Sequence, residues 1–150
     1  MAIKRFEDYT KEGTVKKQNS DASRADFLFK SAEQRYENLQ EKIDKIGIRD
    51  DNASDLVINC YDILMELIRA EMLLGGYNSS GQGAHEAEVS YLRILGFMEK
   101  DVQSLDQLRF FRNGMLYYGT ILDREYAIKV VDFLKGVYPK LKKQLDKEIK

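Results

Sequence analysis

Arg112 is the side chain in this sequence whose placement most needs a chemical reason. It lies in LRFFRNGMLYYG, Leu108 to Gly119. On an ideal helix Leu105, Leu108, Met115 and Leu116 all fall within about 60° of it, at about 100° per residue. That spacing puts a permanent cation in the middle of an apolar stripe, where it needs a carboxylate or an anionic ligand. Asn59, Asp62, Glu66 and Arg69 follow one another at intervals of 3, 4 and 3 along an otherwise apolar segment, so they form one polar line. We expect Arg112 to pair with Asp62 or Glu66. That pair would either support a site or only fix helix register.

Asn113-Gly114 follows the arginine. Both are weak helix formers, glycine by about 1 kcal/mol against alanine, so the helix is expected to loosen before Tyr117 and Tyr118. In a regular helix Tyr117 would point about 140° away from Arg112. The tyrosine pair could equally be amphipathic packing, with rings buried and hydroxyls at the surface. His85 is the only histidine and Cys60 the only cysteine. An intrachain disulfide is therefore impossible, and a Cys/His zinc site is close to excluded. Gly81-Gln82-Gly83 lacks both a preceding strand and a following Gly-Lys-Ser/Thr, which argues against a phosphate-binding P-loop. Lys135, Lys140, Lys142 and Lys143 are interleaved with Asp146 and Glu148 and read as a solvated helix face. The carboxylates show no metal-ligand pattern, and no cofactor is expected.

The elements that must carry these residues are helical. With 150 residues, one proline, no tryptophan and 43% hydrophobic content, the chain fits one all-α domain, 1–150, with residues 1–19 as an arm or short helix anchored by Phe6, Tyr9 and Val15. A first long helix is expected from about Ser20 to Ile46, capped by Asp21 or Ser20 and stopped by Gly47. Its inward stripe is Ala25, Leu28, Ala32, Leu39, Ile43 and Ile46, with Tyr36 beside it. IRDDNAS is a turn. The next helix, about Ala53 to Leu74, is apolar nearly all round, which makes it central or places it at a dimer interface. Gly75 to Glu88 reads as a flexible connection, then a short helix ends near Gly96. A helix from Glu99 to about Tyr118 and one from Asp123 toward Lys150 complete the set. The last has the stripe Ala127, Val130, Leu134, Val137, Leu141 and Leu145, and Pro139 should kink it. No strand alternation stands out. The expected architecture is an up-and-down four-helix bundle with an extra short helix in the connection before the third long helix.

A net charge of −1 gives no bulk attraction to phosphate backbones, so nucleic-acid contact needs a local patch. The charged N-terminus and the lack of an apolar run near roughly 18 residues lead to the expectation of a cytoplasmic protein with no membrane segment.

Arg112-Asn113, three further residues and then position 117 resemble the Arg-Asn-x-x-x-His signature of the HEPN superfamily. YDILMELIRAEMLL, GYNSSGQGAHEAEVSYL, RFFRNGMLYYG and EYAIKVVDFLKGVYPKLKK occur in an order that resembles an archaeal-type HEPN group over most of the length. The resemblance implies a four-helix bundle, a homodimer with a shared cleft, and RNA or a nucleotide as ligand. It also implies a minimal nucleotidyltransferase as possible partner, in a toxin–antitoxin setting. Many members are metal-independent ribonucleases, in which the arginine stabilises phosphate, the polar residue after it assists, and the histidine does acid/base chemistry. Carried over, these roles fall on Arg112, Asn113 and Tyr117, with Tyr118, His85 and Arg69 as further binding residues. Here Tyr117 stands where the signature has histidine. Tyrosine, with a pKa near 10, is a poor base at neutral pH. A binding module is the first expectation. The alternatives are a metal-independent ribonuclease toxin with a non-standard acid/base group, and a purely structural helical dimer.

Overall fold

The structure, a computed structural model, describes residues 3–118 and 121–149, with the backbone alone for 115–118. In chain order its elements are α1 (Phe6–Glu12), β1 (Val15–Lys17), α2 (Ala22–Ile46), α3 (Ala53–Leu74), β2 (Tyr77–Ser79), α4 (Ala84–Ile94), α5 (Glu99–Tyr118) and α6 (Arg124–Ile149). The fold is all-α. Its four long helices are α2, α3, α5 and α6, and the short α4 precedes the third of them. Among the described residues no helix is long and apolar enough to cross a membrane.

Local chemistry explains where the helices start and stop. Asp21 accepts the Arg24 amide at 3.0 Å to cap α2, and Gly47 ends that helix at φ 83°, a conformation that costs glycine little. Asp123 accepts the Tyr126 amide at 2.9 Å at the start of α6. Asn52 acts differently from a simple cap. Its side chain accepts the Arg49 amide at 2.8 Å and donates to the Gly47 carbonyl at 3.0 Å, so it braces the α2–α3 turn. Arg124 ties the same turn to α6 through the Ile48 carbonyl and the Asp50 carboxylate, both at 2.8 Å.

The core is centred on α3, which packs against α2, α4, α5 and α6. Leu56, Ile63, Leu64, Leu67 and Ile68 are essentially inaccessible, so the apolar surplus of this helix is absorbed within the chain. All six residues of the expected α6 stripe are buried, joined by Val131 and Tyr138. In α2 the buried residues are Ala25, Phe29, Ala32 and Leu39. Ile46, expected to face inward, is 54% exposed in the last turn of α2. Tyr36 stacks on Tyr138 with ring centroids 3.7 Å apart, linking α2 to α6. Helix α6 continues through Pro139 as a single element, and α5 likewise passes through Asn113-Gly114 without interruption.

The arm and the Gly75–Glu88 connection depart from a flexible-loop reading. β1 and β2 form an antiparallel ribbon, with Val15 opposite Ser79 and Lys17 opposite Tyr77. The Gln18 amide donates to the Gly76 carbonyl at 2.8 Å. A Cβ at Gly76, which has φ +83°, would lie 2.8 Å from the Gln18 carbonyl oxygen, so only glycine fits there. Phe6, Tyr9 and Val15 are buried as anchors. Arg93 clamps the arm by donating to the carbonyls of Lys4 and Ile3 at 2.7 and 3.0 Å while paired with Glu99.

One buried acid stands apart. Glu71, in the last turn of α3, is 3% exposed, and its Oε1 lacks a hydrogen-bond partner among the described residues. Burial first, and then the facing Glu148 of α6, push its carboxyl up to about 8. The negative end of the α3 dipole acts in the same direction.

Candidate functional site

The polar line on α3 survives in the structure. Asn59, Asp62, Glu66 and Arg69 are all partly exposed on a helix that is otherwise mostly buried. Their partners come from opposite sides. From α2, Ser31 donates to Glu66 Oε2 at 2.9 Å, and Arg35 Nε lies 2.9 Å from Oε1 in an ion-pair contact without hydrogen-bond alignment. From α5, Arg112 Nη2 lies 3.9 Å from Asp62 Oδ1. The line is thus the floor of a groove whose walls are α2 and α5.

Arg112 pairs with Asp62 and leaves Glu66 to α2. The pair is also less buried than the spacing suggested. The Arg112 side chain is 26% exposed and that of Asp62 34%, although Leu105 and Leu108 of the same helix are buried. The arginine marks the edge of the apolar stripe, because the groove beside it opens to water. At 3.9 Å and this exposure the attraction amounts to about 1 kcal/mol or less. Its guanidinium carbon also lies 5.7 Å from the Tyr61 ring centroid, a cation–π contact. Arg112 Nε is buried and has no hydrogen-bond partner among the described residues. Two neighbouring arginines are better satisfied: Arg69 and Arg109 each donate Nε to a carboxylate oxygen at 2.8–2.9 Å.

A second centre closes one end of the groove. Glu88 of α4 has a side chain only 6% exposed and accepts from Arg69 Nε at 2.8 Å and from Ser79 Oγ at 2.9 Å. Burial alone would raise its pKa, but hydrogen bonds from His85, Arg69 and Ser79 outweigh that and hold it below the usual carboxylate range. His85, in the first turn of α4, has Nδ1 3.3 Å from Arg69 Nη2 and 3.3 Å from Glu88 Oε1. One nitrogen cannot accept from the guanidinium and donate to the carboxylate together, and Glu88 Oε1 has no hydrogen-bond partner among the described residues. His85 is therefore a helix residue with defined partners rather than part of a loose connection.

Tyr61 lies between the two centres. Burial, with Glu88 adding to it, pushes its hydroxyl up to about 12, and the charges of Arg109, Arg69 and Arg112 oppose the rise. It is consequently a neutral phenol at physiological pH. Arg109 itself is 18% exposed, held by Asp106 at 2.9 Å with Glu86 at 3.8 Å. Sequence reasoning passed over Arg109 and Glu88. The signal was present in the spacing, since each lies three residues from a chosen residue on the same helix, Arg112 and His85.

No protein-family model, curated protein or solved structure matches the chain. The site is therefore read from its geometry alone. That geometry brings Arg112, Asp62, Arg69 and His85 into one groove, and attaches Glu66 to the α2 wall. Asn113 follows Arg112 on α5 and is partly exposed. The roles expected of Tyr117 and Tyr118 fall on side chains outside the described set. Chemically, the groove offers one incompletely paired guanidinium and a histidine lying 3.3 Å from both Arg69 and Glu88. That combination suits binding of an anion first and proton transfer second.

Proposed function

We propose that this chain is a HEPN-like RNA-binding module acting as a homodimer, with the α2–α5 groove as its binding surface. The observation that carries this reading is the condition of Arg112. Its side chain is 26% exposed and its nearest carboxylate is 3.9 Å away from Nη2, so a backbone phosphate approaching the open side of the guanidinium would pair with it more closely than Asp62 does. The resemblance of Arg112-Asn113 to the superfamily signature points to the same residue. Phe27 of α2, beside Ser31, and Phe110, on the α5 face turned toward the N-terminal arm, are 70% and 67% exposed, and such exposed apolar side chains support burial against a second copy. A minimal nucleotidyltransferase encoded nearby is the partner this reading expects, and the setting is a toxin–antitoxin pair.

The test is RNA binding by the wild-type protein and Arg112→Ala, both checked for folding. Weaker binding by the variant is expected, and equal binding by two folded proteins contradicts the proposal. A second reading, a metal-independent ribonuclease, is favoured by the His85–Glu88–Arg69 cluster, which supplies an acid/base group from α4. It predicts metal-free RNA cleavage that is lost in His85→Ala while RNA binding persists.

A further inference from the structure

About 10 Å along α3 from Asp62, at 1.5 Å per residue, Arg69 also faces a separate cavity of about 320 Å³ between α2, α3, β2 and α4. We propose that this cavity binds a small organic anion, a phosphate monoester or carboxylate carrying an apolar body. Its polar side holds Arg24, Arg69, Asn78, Ser79 and the carboxylate of Glu88, which is paired with Arg69 and leaves the Arg24 charge in excess, and its apolar side holds Leu28, Met72 and Leu73. The two arginines are in different states. Arg69 is fixed: Glu88 holds its Nε at 2.8 Å and is itself fixed by Ser79 at 2.9 Å, and Nη2 lies 3.3 Å from His85 Nδ1, so the N–H groups that these contacts leave over are presented in one orientation. Arg24 is exposed, and its guanidinium has no carboxylate partner among the described residues. One anion held between a fixed and a free guanidinium gains charge-assisted hydrogen bonds from both, with little ordering cost at the fixed one. The volume lies at the small end of ligand sites, roughly 300–1,000 Å³, which limits the occupant to a small molecule. Leu28 and Met72 give an inorganic ion nothing to gain, and this selects an anion with an apolar part. The site does not use Arg112 and stands whether or not the groove binds RNA.

The test uses the full chain with labelled methyl groups, titrated separately with phenyl phosphate, benzoate and inorganic phosphate. Saturable shifts at Leu28, Met72 and Leu73 with phenyl phosphate or benzoate are expected, and the tighter of the two assigns the anionic group. Arg24→Gln removes an exposed side chain and should weaken that binding about tenfold, the loss of one charged hydrogen bond, with the remaining methyl spectrum unchanged. Arg112→Gln should leave it unaltered while reducing RNA binding, so failure here and failure of the RNA reading are separate results. The proposal is overturned if neither organic anion shifts these methyls at millimolar concentration, if Arg24→Gln binds equally well, or if inorganic phosphate binds as tightly as phenyl phosphate.

Discussion

Replacing Glu71 by glutamine should change how the stability of this protein depends on pH. Glu71 is 3% exposed in the last turn of α3 and faces Glu148. Its carboxyl rises from 4.5 to about 8, first through burial and then through Glu148. A folded-state pKa above the unfolded value means that the folded protein binds the extra proton. The stabilisation is complete below about pH 4.5 and disappears as pH rises through about 8. Between 4.5 and about 8, at about 1.4 kcal/mol for each tenfold change in proton affinity, the loss is on the order of 5 kcal/mol. Glutamine has the shape of the neutral acid and cannot ionise. In thermal unfolding followed by circular dichroism, wild type and Glu71→Gln should melt together near pH 5. Near pH 9 the variant should melt higher by about 10–20 °C, using roughly 2–4 °C per kcal/mol for a chain of this size. Parallel melting curves from pH 5 to 9 would refute the account of this acid. So would a variant less stable at every pH.

Three further outcomes are expected from the packing. Gly75→Ala places a Cβ 2.6 Å from the Tyr91 hydroxyl, which should cost about 1–3 kcal/mol in urea unfolding, and much of that should be recovered in Gly75→Ala with Tyr91→Phe. Cys60 is fully buried, and burial pushes its thiol up to about 12. Its reaction with a thiol reagent should therefore follow the rate of unfolding, and fast labelling of the native protein would contradict its placement. Glu88→Gln weakens the bond to Arg69 and should cost about 1–3 kcal/mol near neutral pH. Because the folded pKa of Glu88 is depressed, its contribution is present above the unfolded value and is lost as the pH falls through the folded one, so wild type and variant should converge in acid.

Much of this fold was legible in the residues because the helices carry strong punctuation. Asp21, Gly47, Gly75 and Asp123 bracket α2, α3 and the start of α6, and the observed helices begin and end at or beside them. The periodic stripe of α6 is buried as spaced. The two three-residue strands were not legible, since alternation needs a longer run and their stability comes from pairing across the chain. In α2 the spacing favoured Leu28, whereas Phe29 is the more buried of the two. A broad apolar face leaves such a choice to the neighbouring helix. At the site, the polar line on α3 was visible as spacing, but its division between walls was not. Glu66 turns to Ser31 and Arg35 because α2 lies on its side, a tertiary fact. The Glu71–Glu148 approach is likewise invisible until α3 and α6 are packed.

The central claim concerns Arg112 as a phosphate-binding residue in the groove. The most direct measurement is the salt dependence of RNA binding by wild type and Arg112→Gln, with fluorescence anisotropy as the readout. The account predicts weaker binding by the variant across unrelated sequences. It also predicts a log–log salt slope shallower by about one, because the variant neutralises one phosphate fewer. Identical affinities and slopes for the two folded proteins would contradict it.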